Sequence, residues 1–158
     1  MSSVKRKMTG TLEDSTRNTE HLTLTTHREE ESMITSFKEL KVWERADDLA
    51  FKVFDLAEIF PRKYLYDLTS QLRRAALSVP TNIAEGCASF HSGEFLQFLN
   101  VSRRSLSETQ YLLYFASRRN LIKQIQLSEL ETICEDISKM LNGLAKSIRN
   151  KVKNSKKS

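Results

Sequence analysis

Residues 127–148 read LSELETICEDISKMLNGLAKSI, and the spacing of their apolar side chains decides the fold. Leu127, Leu130, Cys134, Ile137, Leu141, Leu144 and Ile148 recur in steps of three and four, a helical seam sustained for about three heptads. Ser128 and Glu131 stand as S-x-x-E, the form of a capping box, which predicts that this helix begins near Ser128. A seam of this kind is one wall of a core and requires partner helices.

Those partners lie upstream. The first helical pattern covers about 38–60, with Trp43, Ala46, Ala50, Val53, Phe54, Ala57 and Phe60 repeating every three or four residues until Pro61, since a residue before proline avoids the α region. The second covers about 63–86, with Leu65, Leu68, Leu72, Ala76, Val79 and Ile83 on one face and Gly86 as the expected C′ residue. The third starts near Ser92, a candidate N-cap, and ends near Asn120, with Phe95, Phe98, Leu99, Ser102, Leu106, Thr109 and Leu113 inward. The chain has only 4 Gly and 2 Pro in 158 residues, which favours long helices over many short strands. Short connections favour antiparallel neighbours, so the expected fold is all-α, an antiparallel up-down-up-down four-helix bundle.

Pro80 falls inside the second pattern. It removes an amide donor and crowds the Ala76 carbonyl, yet Leu72, Ala76, Val79 and Ile83 keep their phase across it. A Pro-kinked but continuous helix accounts for both facts, with Ser78 and Thr81 satisfying freed backbone groups. The alternative is a break, with Ser78 capping a new short helix.

The expected organisation is an extension over 1–36, a bundle over 37–149 and a basic disordered tail over 150–158. The lead is rich in Thr and Ser, with too few large apolar residues to offset the entropy of ordering. Net charge is +5, and the excess sits at the C-terminal end. From residue 146 onward Lys146, Arg149, Lys151, Lys153, Lys156 and Lys157 meet no acidic residue. Such a run is a candidate for binding phosphate backbones. Three Arg doublets add to it, Arg73-Arg74, Arg103-Arg104 and Arg118-Arg119, unless the acids of the body neutralise them. No base-stacking aromatics are evident beside these basic residues in sequence, so backbone contact without sequence readout is expected.

Helix one carries more apolar surface than a bundle needs. Val42, Leu49 and Leu56 widen its stripe to about 160°, with Leu40 and Phe51 beyond it. The stretch Tyr111–Ala116 of helix three is apolar on all sides. Both features predict a homo-oligomer built through helices one and three. The alternative is cover by the N-terminal segment.

Catalytic signatures are missing. The folded region holds one histidine, His91, and no HExxH, CxxC or Gly-rich phosphate loop, so no cofactor or metal is expected. Glu85 and Glu108 are candidates for acid–base work, but acids in such positions more often pair or cap. Cys87 and Cys134 read as reduced thiols. Neither a secretory signal nor a membrane span is apparent, which predicts a cytoplasmic protein.

Four segments carry a resemblance: FKELKVWERA (37–46), Phe60-Pro61, LTSQLRRAALSVPTNIAEG (68–86) and EFLQFLNVSRRSLSE (94–108). They resemble the four-helix-bundle proteins encoded in 23S rRNA intervening sequences, over about 37–145, a family similar in fold to the accessory variability proteins of diversity-generating retroelements. The resemblance implies a bacterial, cytoplasmic homopentamer without catalytic activity, whose retroelement relatives associate with a reverse transcriptase and with nucleic acid. It assigns Arg73 and Arg74 to the family's Arg pair and Ser78, Pro80, Asn82, Glu85 and Gly86 to its kink motif. Tyr64 and Asp67 depart from the family's Glu-x-x-Gly, and Arg104 stands where a glycine is usual.

Overall fold

The computed structural model describes residues 36–155. The expectations for the N-terminal extension and for Lys156 and Lys157 lie outside the described residues. Four helices follow one another: α1 (Lys41–Glu58), α2 (Ser70–Cys87), α3 (Ser92–Arg118) and α4 (Gln124–Ser155). A 3₁₀ turn, Phe37–Glu39, precedes α1; a second, Arg62–Tyr64, and a π turn, Leu65–Thr69, lead into α2. Among the described residues there is no strand. Each helix packs on the next, and α1 also packs on α4, which closes the bundle around one shared core.

The core contains most of the residues the periodicity selects, while Trp43, Phe54, Phe95, Phe98 and Leu144 are only half-buried. Ala46, Val53, Leu72, Ala76, Val79, Ile83, Leu106, Leu113, Cys134, Ile137 and Leu141 are all buried. Each large aliphatic side chain withdrawn from water this completely contributes roughly 1.5–3 kcal/mol. Arg45 of α1 reaches Asp136 of α4 across 3.6 Å at the surface.

The entry to α2 differs from the expected single helix. The π turn contains five residues per hydrogen-bonded loop, so it shifts the phase by about one residue. Leu65 consequently faces water, while Leu68 and Thr69 are buried.

α2 runs without interruption through Pro80, so the alternative of a break is not adopted. The polar residues around the proline solvate neighbouring carbonyls, as expected for Thr81. Its hydroxyl donates to the Leu77 carbonyl (2.8 Å), and Asn82 Nδ2 donates to the Ser78 carbonyl (2.7 Å). Ser102 of α3 donates to the Val79 carbonyl (2.9 Å). The Ser78 and Ser105 hydroxyls pair across the same contact at 2.9 Å. Ser102 and Thr109 are buried, and Thr109 satisfies itself on the Ser105 carbonyl. Small and hydroxylated residues thus bring α2 and α3 close together.

Gly86 completes this approach, and its role differs from a helix stop. Its φ is not in the left-handed region, and α2 continues through Cys87. A Cβ at Gly86 would stand 2.6 Å from Phe95 Cδ2 and 2.8 Å from Phe98 Cβ. Glycine is required here by the closeness of α3.

The end of α3 is a Schellman motif. Asn120 takes the left-handed conformation at φ 56. The Leu121 amide donates to Ala116 (3.0 Å) and the Asn120 amide to Ser117 (2.9 Å). Asparagine tolerates this conformation better than other residues with a Cβ.

α4 corrects two expectations. It begins at Gln124, which places Ser128 inside the helix, not at its cap. The Lys123 amide donates instead to Gln126 Oε1 (2.9 Å), the return half of a capping box one turn earlier. The helix also continues to Ser155, so the basic segment from 150 is helical where disorder was expected. Basic residues complement the negative end of the helix dipole, which favours this extension.

Helix one supplies a further correction. Val42, Leu49 and Leu56, expected as surplus, are buried inside the single chain by α1's contacts with α2 and α4. Phe51, 66% exposed, remains outside. On α3, Leu112, Leu113 and Ala116 are buried, whereas Tyr111, Tyr114 and Phe115 face solvent. Of the four helices, α3 exposes the most large apolar side chains.

Both cysteines are free thiols. Burial, with Glu131 as a lesser cause, pushes the Cys134 thiol up to about 12. Burial also raises Cys87, which is only half-buried. A thiol reagent at pH 8 should therefore modify one cysteine per chain, Cys87, until denaturant exposes the second. Two rapid modifications in the native protein would contradict the packing around Cys134.

Candidate nucleic-acid interface

The basic residues emerge from four separate places on the bundle. Arg73, in the second turn of α2, is half-buried. Its guanidinium lies 5.2 Å over the Phe54 ring and donates from Nη2 to the Phe54 carbonyl at 3.4 Å. Its buried Nε has no hydrogen-bond partner. Arg73 is thus largely occupied in joining α2 to α1. Arg74 points outward and lines a groove of about 680 Å³ between the entry to α2 and α3.

Arg103 and Arg104 are exposed at the middle of α3. Arg103 donates to Asn100 Oδ1 one turn earlier (2.9 Å). Arg104 therefore does not enter the α2–α3 contact in place of the family's glycine. Arg118 lies 6.0 Å over the Tyr114 ring, and Arg119 Nη2 donates to the Tyr64 hydroxyl at 3.1 Å. At 1.5 Å per residue, the second and third doublets stand about 22 Å apart along α3. The structure does not gather the three doublets into one patch. Among the described residues none of these arginines pairs with a carboxylate.

At the end of α4, Lys146, Arg149, Lys151 and Lys153 are all exposed. Successive residues turn by 100°, so Lys146, Arg149 and Lys153 share a stripe about 60° wide, with Lys151 on the other side. Ile148 is the last buried residue, and only Val152 is half-buried after it. The helix thus carries its cations past the core.

The other motif residues sort by packing. Ser78 and Gly86 belong to the α2–α3 contact, Asn82 braces Ser78 within α2, Pro80 is buried and Glu85 is exposed. Glu108 accepts from Gln71 Nε2 (3.0 Å) in the groove beside Arg74, and Glu85 does not line that groove. The two acids are not brought together as a catalytic pair. Among the described residues no cluster of three His, Cys, Asp or Glu side chains could hold a metal ion, and no helix is long and apolar enough to cross a membrane.

Sequence spacing misses a further group. Lys63 lies 5.1 Å over the Tyr64 ring, on the same tyrosine that Arg119 engages. The Arg119 hydrogen bond, followed by the charges of Arg119 and Lys63, holds the Tyr64 phenol below its ordinary value. These residues are 55 positions apart and sit on connections, where helical periodicity carries no information.

A helical bundle with small-residue packing between its second and third helices and cations at its periphery defines the class of protein. The family described as 23S rRNA-intervening sequence protein matches residues 38–143, and the chain belongs to that family. A crystal structure of a protein of unknown function from the S23 ribosomal protein family of Bacteroides thetaiotaomicron is similar in fold. It superposes with a TM-score of 0.62 at 22% identity, covering 66% of this chain and 95% of that one. No curated protein matches the sequence.

Proposed function

We propose that the protein is a non-enzymatic, homo-oligomeric helical scaffold that binds nucleic acid through the phosphate backbone. The observation that carries this reading is the exposed, acid-free end of α4, where Lys146, Arg149 and Lys153 form one stripe on a helix. A fixed row of cations releases condensed counterions without losing further conformational freedom. Arg74, Arg104 and Arg119, each exposed, add contacts around the body.

The bundle is antiparallel, because connections this short reverse the chain, and Pro80 kinks α2 where polar side chains cover the displaced carbonyls. Tyr111, Tyr114 and Phe115 on α3, with Phe51 on α1, support assembly of copies. A pentamer in the bacterial cytoplasm is the state that the family resemblance implies, as is kinship with the retroelement accessory proteins. In such a particle the cationic ends add, and binding becomes multivalent. The same aromatic patch favours the second reading, an adaptor that binds protein and has no direct nucleic-acid role.

The test is a titration of labelled RNA and DNA by the purified particle at 50 and 200 mM salt, with its mass measured alongside. Affinity should fall about a hundredfold between the two salts, the response of roughly four phosphate contacts. Replacing all six basic residues from Lys146 to Lys157 by glutamine should flatten that response. Substitution is preferable to deletion of the segment, because deletion would also remove Ile148 from the core. A flat response in the unaltered protein defeats the proposal, and capture of a protein partner that survives nuclease and high salt favours the adaptor.

A further inference from the structure

We propose that the α1–α2 connection and the neighbouring end of α3 form a stacking site for single-stranded nucleic acid, with the Tyr66 ring as the platform for a base and Arg74, Arg119 and Lys63 as its phosphate contacts. The inference rests on the nucleic-acid reading above and names a second surface and a preferred form of the ligand.

Tyr66 is 90% exposed, among the most exposed of the large apolar side chains described. It stands in the π turn between Tyr64 and α2, and such turns concentrate at functional sites. The turn that rotates Leu65 out of the core also presents Tyr66. On one side Tyr66 shares a groove with Arg74. Two residues before it, Tyr64 packs partly on the core and fixes Arg119 through its hydroxyl at 3.1 Å, with Lys63 5.1 Å from the same ring. Tyr64 is thus a positioning residue, and Tyr66 is the free ring.

The charges favour an anion. None of Lys63, Arg74 and Arg119 pairs with a carboxylate among the described residues. The groove also contains Asp67 and Glu108, which keep their negative charge although the Leu68 amide and Gln71 Nε2 donate to them, so the three cations exceed these two acids by one. An exposed ring sharing a groove with Arg74, with two further cations on Tyr64 two residues away, is the kind of combination single-strand binders use, because every base has a face to stack and every nucleotide a phosphate. A duplex hides its base faces and can engage only the cations.

The test uses the full chain and three fluorescein-labelled probes: a 12-nucleotide oligouridylate, a 12-nucleotide oligothymidylate and a 12-base-pair duplex. The unaltered protein should bind both single strands more tightly than the duplex at equal salt. Tyr66→Ala should weaken single-strand binding about tenfold, the worth of one stacked base, and leave duplex binding and the salt dependence unchanged. Tyr66→Trp should retain the preference. Tyr66 makes no buried contact, so melting curves of the variants should overlay the parent and exclude misfolding. If Tyr66→Ala binds single strands as well as the parent while the glutamine variant of the α4 end is weakened, the stacking site is refuted and the backbone reading survives. If the unaltered protein binds none of the three probes, both fall.

Discussion

Gly86→Val should be among the most damaging single substitutions in this protein, lowering stability by about 3 kcal/mol and the melting temperature by roughly 10 °C. The new Cβ would meet Phe98 Cβ at 2.8 Å, and that atom is fixed to the α3 backbone and cannot rotate aside. Phe95, at 2.6 Å, can turn its ring only by giving up its place on the core. The helices must separate, and with them the Ser78–Ser105 and Ser102–Val79 hydrogen bonds. Gly86→Ala tests the sign. Within a helix, glycine to alanine ordinarily stabilises by about 0.5–1 kcal/mol. At Gly86 the same change should destabilise, whereas at Gly143, with nothing within 4 Å, it should stabilise. Thermal denaturation of the three variants is sufficient. An alanine at Gly86 that raises the melting temperature would mean that α2 and α3 do not approach this closely.

Leu49→Ala should cost about 3 kcal/mol, the usual loss for a buried leucine whose surroundings relax only partly. Leu49 is 0% exposed within a single chain. Its loss should therefore appear as a melting shift that does not depend on protein concentration, with particle mass unchanged. This distinguishes the structure from the expectation that helix one's wide apolar arc serves assembly. Had Leu49 lain between copies, the same substitution would alter mass first and make the melting temperature concentration-dependent. A mass change with little loss of chain stability would return helix one to the interface.

Much of the fold was legible because helical periodicity reports burial directly. The seam of α4 needed only its spacing: Leu127, Leu130, Cys134, Ile137, Leu141 and Ile148 are buried, and Leu144 is half-buried against the core. The continuity of α2 through Pro80 followed from residues that hold their phase on both sides of it. The ends were harder to read. A capping box at Ser128 competes with Gln126 reaching back to Lys123, and sequence does not say which of two adjacent caps closes. At Leu65 the expected face was wrong because a π turn changes the period by one residue, which no apolar pattern announces.

The candidate site was legible in its charges and not in its company. The acid-free C-terminal run and the three Arg doublets are plain in the sequence, since charge content is a property of residues. What each arginine faces is not. Arg73 is spent on Phe54, while Arg119 meets Tyr64 across 55 residues. Aromatics were not expected beside the basic residues, yet Arg73 lies over Phe54 and Arg118 over Tyr114.

By itself the amino-acid order determined the number of helices, much of the seam of α4 and the place where positive charge accumulates, because these depend on residue type and on a fixed 100° turn per residue. Only the tertiary structure decided how much of helix one is hidden, why position 86 admits no Cβ, and which rings stand beside which cations. Those depend on the distance between helices and on the path of the connections, and neither is encoded in a local period.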